Sequence, residues 1–134
     1  MISPDGRNLF LSSSVSGNNS SFAKIEDAKI AMVITSLNEL YAHYKARGFH
    51  EVYLTIIPNP VTIVAPQMGN YNRLIERIQN NPELKMPFID VYQRFKASKQ
   101  PLYQQADTHW NYRGFRLWVE EVNKTLRKTH SSLK

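Results

Sequence analysis

Cysteine is absent from the chain, which excludes disulfide bonds, thiol nucleophiles and zinc sites built on thiolates. No apolar run approaches the roughly 20 residues that a membrane-spanning helix needs. Residues 1–7 are polar and do not resemble a secretory signal. We therefore expect neither a transmembrane segment nor an export signal, and the cellular location stays open.

The rest of the composition is typical of a globular protein. Hydrophobic residues make up 42% of the 134 residues and charged residues 21%, which fits a single domain over residues 1–134. The formal net charge of +6 at pH 7 permits binding to a polyanion. Because the basic residues are spread along the chain and no nucleic-acid-binding motif accompanies them, we interpret the charge as a basic surface and expect no nucleic-acid partner.

Apolar residues recur at helical spacing in three stretches. The clearest helix lies within residues 24–47, and Gly48 is typical of the residue that follows a helix C-terminus. A second helix is predicted around residues 71–78. A third runs from about 112 to 127, with Asn111 as a suitable N-cap. The stripe expected to face the core on this last helix is Phe115, Trp118, Val119, Val122 and Leu126.

Runs of β-branched and other apolar residues alternate with these helices. Residues 52–57, Val-Tyr-Leu-Thr-Ile-Ile, are typical of a strand buried on both faces of a parallel sheet, and the prolines that follow end it. Residues 9–11 and 88–92 predict further short strands. The alternating order predicts an α/β fold: three α/β/α layers around a short parallel sheet. The loops 12–19, 58–69 and 98–111 are then the candidates for a site.

Asp107 and His109 stand two residues apart, just ahead of the last predicted helix. At this spacing a carboxylate can reach the imidazole within a tight loop, fix its tautomer and stabilise its protonated form. The histidine could then take a proton from a serine hydroxyl and return it to a leaving group. An isolated Asp-x-His is common, however, and its other interpretation is a turn aspartate beside an ordinary histidine. Two ligands are also too few for a metal site, and we expect none.

The residues around the pair are more specific. Asp-Thr-His-Trp-Asn at 107–111, followed by Gly114 and an amphipathic helix, resembles the last conserved block of SGNH/GDSL-type hydrolases. It is more similar still to the Asp-x-His-Trp block of DHHW and alginate O-acetyltransferase-like proteins. Residues 5–11 resemble the entry strand of that family, and residues 48–59 its strand that ends in proline. Pro60 stands where the family pattern often has lysine.

The resemblance implies a partial SGNH- or flavodoxin-like domain that needs no cofactor. Its implied activity is that of a serine O-acyl esterase or O-acetyltransferase on cell-surface polysaccharide or a related acyl ester. Asp107 would be the orienting acid and His109 the general base. Relatives of the transferase type work in the periplasm or at the cell surface.

Four further residues are candidates for substrate binding. Gly17-Asn18-Asn19 stands where a Gly-x-Asn-Asp oxyanion block belongs, although the final Asp is absent and a solvated turn is the other interpretation. Asn59 follows the proline that ends the central strand. Trp110, like Tyr103, is placed to line a sugar-binding cleft.

A nucleophile is missing from this scheme. No Gly-Asp-Ser or Gly-x-Ser-x-Gly block is present, and the serines at 12–14 lack the small-residue elbow that would present one. We therefore expect a second chain or a further segment to supply the serine. The alternative is a noncatalytic α/β module that binds carbohydrate or another partner.

Overall fold

The computed structural model describes residues 1–131, with the side chains of residues 1–129. The helices found within residues 1–131 make up 48% of the chain, and the paired β residues found there make up only 5%. The helices, in chain order, are α1 (Ser12–Val15), α2 (Asp27–Ala46), α3 (Pro60–Val64), a short 3-10 helix (Pro66–Met68), α4 (Leu74–Gln79), α5 (Tyr92–Ala97) and α6 (Tyr112–Ser131). None of these helices combines the length and the apolar character that crossing a bilayer requires.

The predicted three-layer α/β/α fold with a parallel sheet is wrong. In residues 1–131 the β pairing consists of three isolated bridges, two antiparallel (Ile2 with Leu9, Tyr103 with Trp110) and one parallel. The parallel bridge joins Leu54 to Phe88, between two of the segments that were predicted as strands. The Leu54 amide donates to the Pro87 carbonyl at 2.9 Å, and the Ile89 amide donates to the Leu54 carbonyl at 2.8 Å.

Two features of residues 87–92 limit the pairing with residues 52–57 to this one bridge. Pro87 has no N–H, so the next bond toward Val52 cannot form. On the other side Val91 already has helical dihedral angles (φ −103°, ψ −14°), and α5 begins at the next residue. The Asp90 carboxylate accepts from the Tyr92 amide at 2.9 Å and holds this helix start. Residues 88–92 therefore leave the extended conformation before a sheet can form.

The predicted first strand, residues 9–11, is also not part of a sheet with residues 52–57. The Leu9 amide donates to the Gln105 carbonyl and the Phe10 amide to the Met1 carbonyl, both at 2.7 Å. The Phe10 side chain is buried in a small cluster with Val15, Val61 and Ala65. These contacts place the segment next to α1 and α3.

The helix predicted within residues 24–47 is confirmed as α2. It ends as expected before Gly48, whose φ of +88° is the left-handed conformation that favours glycine. Ile30 and Ile34 are its buried residues, and they pack against Ile78 of α4. An ion pair of 2.7 Å between Asp27 and Arg77 links the same two helices at the surface.

Successive side chains of an extended segment point to opposite sides. Those of residues 52–57 therefore pack alternately against α2 and α4 on one side and against α5 and α6 on the other. Leu54 and Ile56 pack against the α2–α4 cluster. Tyr53 packs against a second cluster from α5 and the segments before and after it, namely Ile89, Val91, Phe95, Leu102 and Tyr103. Trp118 and Val122 of α6 cover this second cluster. The apolar run is thus held by side-chain packing, with little backbone pairing.

Candidate functional site

Asp107 and His109 lie at the tip of a short antiparallel loop between α5 and α6. The bridge between Tyr103 and Trp110 closes the loop. The Gln104 amide donates to the His109 carbonyl at 3.1 Å, and the Asn111 amide donates to the Leu102 carbonyl at 2.8 Å. The backbone on both sides of the Asp-x-His pair is therefore tied together.

Asn111 fastens this loop to the start of α6. Its side-chain oxygen accepts from the amides of Arg113 at 2.9 Å and Gly114 at 3.1 Å, as an N-cap residue does. Its side-chain nitrogen donates back to the carbonyls of Pro101 at 2.8 Å and Tyr103 at 3.2 Å. The predicted N-cap is confirmed, and the same side chain also bridges the two arms of the loop.

Gly114 is required where α6 meets the loop. A Cβ at this position would lie 2.4 Å from the Leu102 carbonyl oxygen and 2.9 Å from the Trp110 Cβ. Real Cβ atoms essentially never approach other atoms so closely, and the first obstacle is backbone. The absence of a side chain therefore lets the first turn of α6 rest directly on the arm of the loop that leads to Asp107.

The two side chains are in direct contact. The Asp107 Oδ1 atom lies 2.5 Å from His109 Nδ1 and also accepts from the His109 amide at 3.0 Å. The hydrogen bond from the imidazole is the main cause that lowers the pKa of Asp107 below its ordinary value. A carboxylate at Nδ1 stabilises the tautomer with its proton there, which leaves the lone pair on Nε2.

The pair is open to solvent. The side chain of His109 is 79% exposed and that of Asp107 54%. Among the side chains of residues 1–129, no serine hydroxyl forms a hydrogen bond with His109. The carboxylate thus fixes the orientation of the imidazole, whose side chain is accessible from outside.

Trp110 turns away from this tip into an aromatic cluster. Its ring centroid lies 5.6 Å from that of Trp118, 6.1 Å from that of Phe115 and 6.5 Å from that of Phe95. The ring is partly buried, so part of it stays available for contact with a ligand. Its main contacts are with the core that supports the loop.

Tyr103 does not line a cleft, contrary to the expectation. It is only 6% exposed, and its hydroxyl donates to the Pro58 carbonyl at 2.6 Å. Burial raises the pKa of this phenol above its ordinary value. The hydrogen bond ties the loop of Asp107 and His109 to the end of residues 52–57, one residue before Asn59.

The other three predicted binding residues come together in a different place. Asn18, Asn19 and Asn59 all line a cavity of about 390 Å³ between α2, α4 and the end of residues 52–57. Neither Asp107 nor His109 lines it. The predicted site is therefore divided into two parts. One is the loop 103–110 that carries Asp107 and His109, called the acid–base loop after its predicted role, and the other is the separate cavity. The hydrogen bond from Tyr103 to Pro58 links this loop to the residue before Asn59, which lines the cavity.

A groove of about 420 Å³ runs beside the loop and is lined by Asp107 and Thr108 on one side and by residues 9–12 on the other. Ser12 borders this groove. Ser14 is excluded as a nucleophile because it is buried and its hydroxyl donates to the Leu11 carbonyl at 2.7 Å. Of the candidate serines, Ser12 is the one that shares a surface with the aspartate.

Sequence reasoning missed the apolar residues that line the cavity, such as Ile75 and Ile78 of α4. Helical spacing identified them as buried, but no sequence signal separates a cavity wall from an ordinary core contact. Within residues 1–129 the structure brings together no three His, Asp or Glu side chains that could hold a metal ion.

Comparison of the chain with protein-family models, with curated proteins and with solved structures finds no match. The functional interpretation therefore depends on the geometry of the site and on the residues that carry the SGNH-type resemblance.

Proposed function

We propose that this chain contributes the acid–base pair of an SGNH-type O-acyl esterase or O-acetyltransferase. The substrate class is an acyl ester of a cell-surface polysaccharide or a related small ester. Asp107 orients the imidazole, and His109 acts as the general base. The observation that supports this most is the 2.5 Å contact between Asp107 Oδ1 and His109 Nδ1, in a loop that Asn111 fastens at its base.

The chemistry follows from the free lone pair of His109. Nε2 removes the proton of a serine hydroxyl while the serine oxygen bonds to the ester carbonyl carbon. The tetrahedral intermediate collapses as the bond to the leaving oxygen breaks, and the imidazolium returns its proton to that oxygen. Water or an acceptor hydroxyl then attacks the acyl-serine, with His109 again as the base. The bond between the acyl carbon and the serine oxygen breaks, and the imidazolium returns its proton to the serine. Asp107 stays ionised throughout and stabilises the imidazolium.

The serine of this proposal comes either from a second chain or a further segment of the polypeptide, or from within the chain itself. The exposure of His109 is consistent with such a partner, because an imidazole that is 79% exposed can be reached by another surface. Ser12 is the internal candidate, since it borders the groove next to Asp107. A fluorophosphonate label followed by peptide mapping distinguishes the two: labelling at Ser12 favours the internal hydroxyl.

Hydrolysis of p-nitrophenyl acetate tests the role of the pair. We expect His109→Gln to lower the rate by about 100-fold or more, the typical contribution of a general base. Asp107→Asn should also lower the rate, because the amide no longer stabilises the imidazolium. His50→Gln is the matched control, since His50 is another exposed histidine. Where the unchanged chain hydrolyses the ester above the buffer background, equal rates for His109→Gln, His50→Gln and the unchanged chain would refute the proposal.

The second candidate is a noncatalytic module that binds carbohydrate or another partner. The observation that favours it is that no serine among residues 1–129 is hydrogen-bonded to His109. On this interpretation neither hydrolysis above the His109→Gln background nor fluorophosphonate labelling is seen, alone or with any added partner fraction. Labelling of a partner serine that depends on His109 supports the enzyme instead.

A further inference from the structure

We propose that the cavity between α2 and α4 binds a medium-chain aliphatic acyl group. Its volume of about 390 Å³ lies in the range of small-molecule pockets, roughly 300–1,000 Å³. The statement that this acyl group belongs to an ester substrate is the only part that rests on the proposed function. Binding of the aliphatic chain itself does not require His109, which does not line the cavity.

The interior of the cavity is aliphatic. Side chains from α2, from α4, from residues 52–57 and from the loop before α2 contribute to it: Ile25, Ile30, Val33, Ile56, Ile75 and Ile78. Each methylene group that a ligand buries against these aliphatic walls leaves water, and this favours binding. Polar side chains line the cavity as well, but those of Thr62, Tyr71 and Asn72 already bond to backbone atoms of the protein. Among the described residues of the lining, Tyr71 is the one aromatic residue. An aliphatic chain is therefore a better match than a sugar ring or a planar aromatic ligand.

The mouth of the cavity offers amide donors. The Asn18 and Asn19 side chains have no hydrogen-bond partner among the described residues. Asn59 uses its Oδ1 atom to accept from the Val61 amide at 3.2 Å, so its Nδ2 group remains to donate. No aspartate or glutamate among the described residues lines the cavity, and Lys29 adds a positive charge to the lining. Carboxamide N–H groups and an absence of negative charge suit the carbonyl end of an acyl group.

Two properties of α2 allow a matched pair of variants. Val33 lines the cavity and is partly buried, whereas its neighbour Met32 is 71% exposed and does not line it. Tryptophan at position 33 would occupy space that the acyl chain needs. Tryptophan at position 32 adds the same ring to the same helix but places it in solvent.

The test is isothermal titration of the whole chain with butanoate, hexanoate and octanoate. Each buried methylene contributes about fourfold in affinity, so octanoate should bind about 15-fold more tightly than hexanoate. Val33→Trp should weaken octanoate binding at least about tenfold, while Met32→Trp leaves it unchanged. Methyl hexanoate, which carries no charge, should compete with hexanoate for the same site.

Several outcomes would overturn the assignment: equal affinity along the acid series, unaltered binding by Val33→Trp, or no competition from the methyl ester. If Val33→Trp fails to fold, Ile57→Trp takes its place, because Ile57 lines the cavity and is already 38% exposed. His109→Gln should bind octanoate as the unchanged chain does. Loss of esterase activity with binding retained thus separates a failure of the proposed function from a failure of this assignment.

Discussion

Replacement of Gly114 by alanine isolates the contact on which the geometry of the acid–base loop depends. In an ordinary helix this substitution stabilises, because alanine is favoured over glycine by about 1 kcal/mol. Here the added methyl would sit 2.4 Å from the Leu102 carbonyl oxygen and 2.9 Å from the Trp110 Cβ. Neither neighbour is the end of a flexible side chain, so the helix and the loop must move apart.

The two contributions have opposite signs. Overpacking of a tight site costs about 1–3 kcal/mol, and the helical preference of alanine recovers about 1 kcal/mol of that. We expect the free energy of unfolding to fall by about 1–2 kcal/mol, since movement of the first turn of α6 also disturbs the bonds that Asn111 makes across the loop.

Urea denaturation followed by circular dichroism measures this change. Arg113→Ala is the control. Arg113 is exposed in the same turn, and among the described side chains its guanidinium bonds only to Gln100, so the substitution should change stability by no more than about 0.5 kcal/mol. If Gly114→Ala instead raised the free energy of unfolding by about 1 kcal/mol, as in an ordinary helix, the close approach of α6 to Leu102 would be refuted. The account of how the loop is held would then fail as well.

Two further predictions follow from the loop. Tyr103→Phe should lower the free energy of unfolding by about 1–3 kcal/mol, because it leaves the buried Pro58 carbonyl without its donor; denaturation beside Tyr112→Phe, a change at a tyrosine that is 72% exposed, checks this. Because the folded pKa of Asp107 is lowered, its contact with His109 stabilises the fold above the ordinary pKa of 3.8, and this contribution is lost as pH falls through the lowered value. Carboxyl NMR titration should therefore show a higher pKa for Asp107 in His109→Gln than in the unchanged chain, and equal values would contradict the contact.

Local patterns predicted the helices α2, α4 and α6, whereas α1 and α3 lie in segments that were predicted as loops. The apolar spacing within residues 24–47 became α2, and the glycine after it adopts the expected positive φ. The Asn111 cap was also predictable, because capping bonds reach only two or three residues along the chain. The core stripe of α6 was predicted only in part: Trp118 packs against the core, while Phe115 is 43% exposed and Leu126 46%. Helical spacing identifies a face, but a neighbour must be present to cover all of it.

The absence of a sheet from the described residues could not be predicted from the apolar runs alone. An apolar, β-branched run such as residues 52–57 indicates burial, and its side chains do pack against two pairs of helices. A strand also needs a partner backbone whose N–H groups are in register. Pro87 and the early start of α5 leave only the Leu54–Phe88 bridge. Such long-range pairing is not encoded in the run itself.

The contact between Asp107 and His109 was the part of the site that the sequence by itself determined, because the two residues are close enough in the chain for a turn to join them. Convergence of Asn18, Asn19 and Asn59 on one cavity, and the separation of that cavity from the acid–base loop, were decided only by the tertiary structure. The physical reason is range: caps, turns and helical faces depend on neighbours within about one turn, whereas cavities form where segments far apart in the chain pack together.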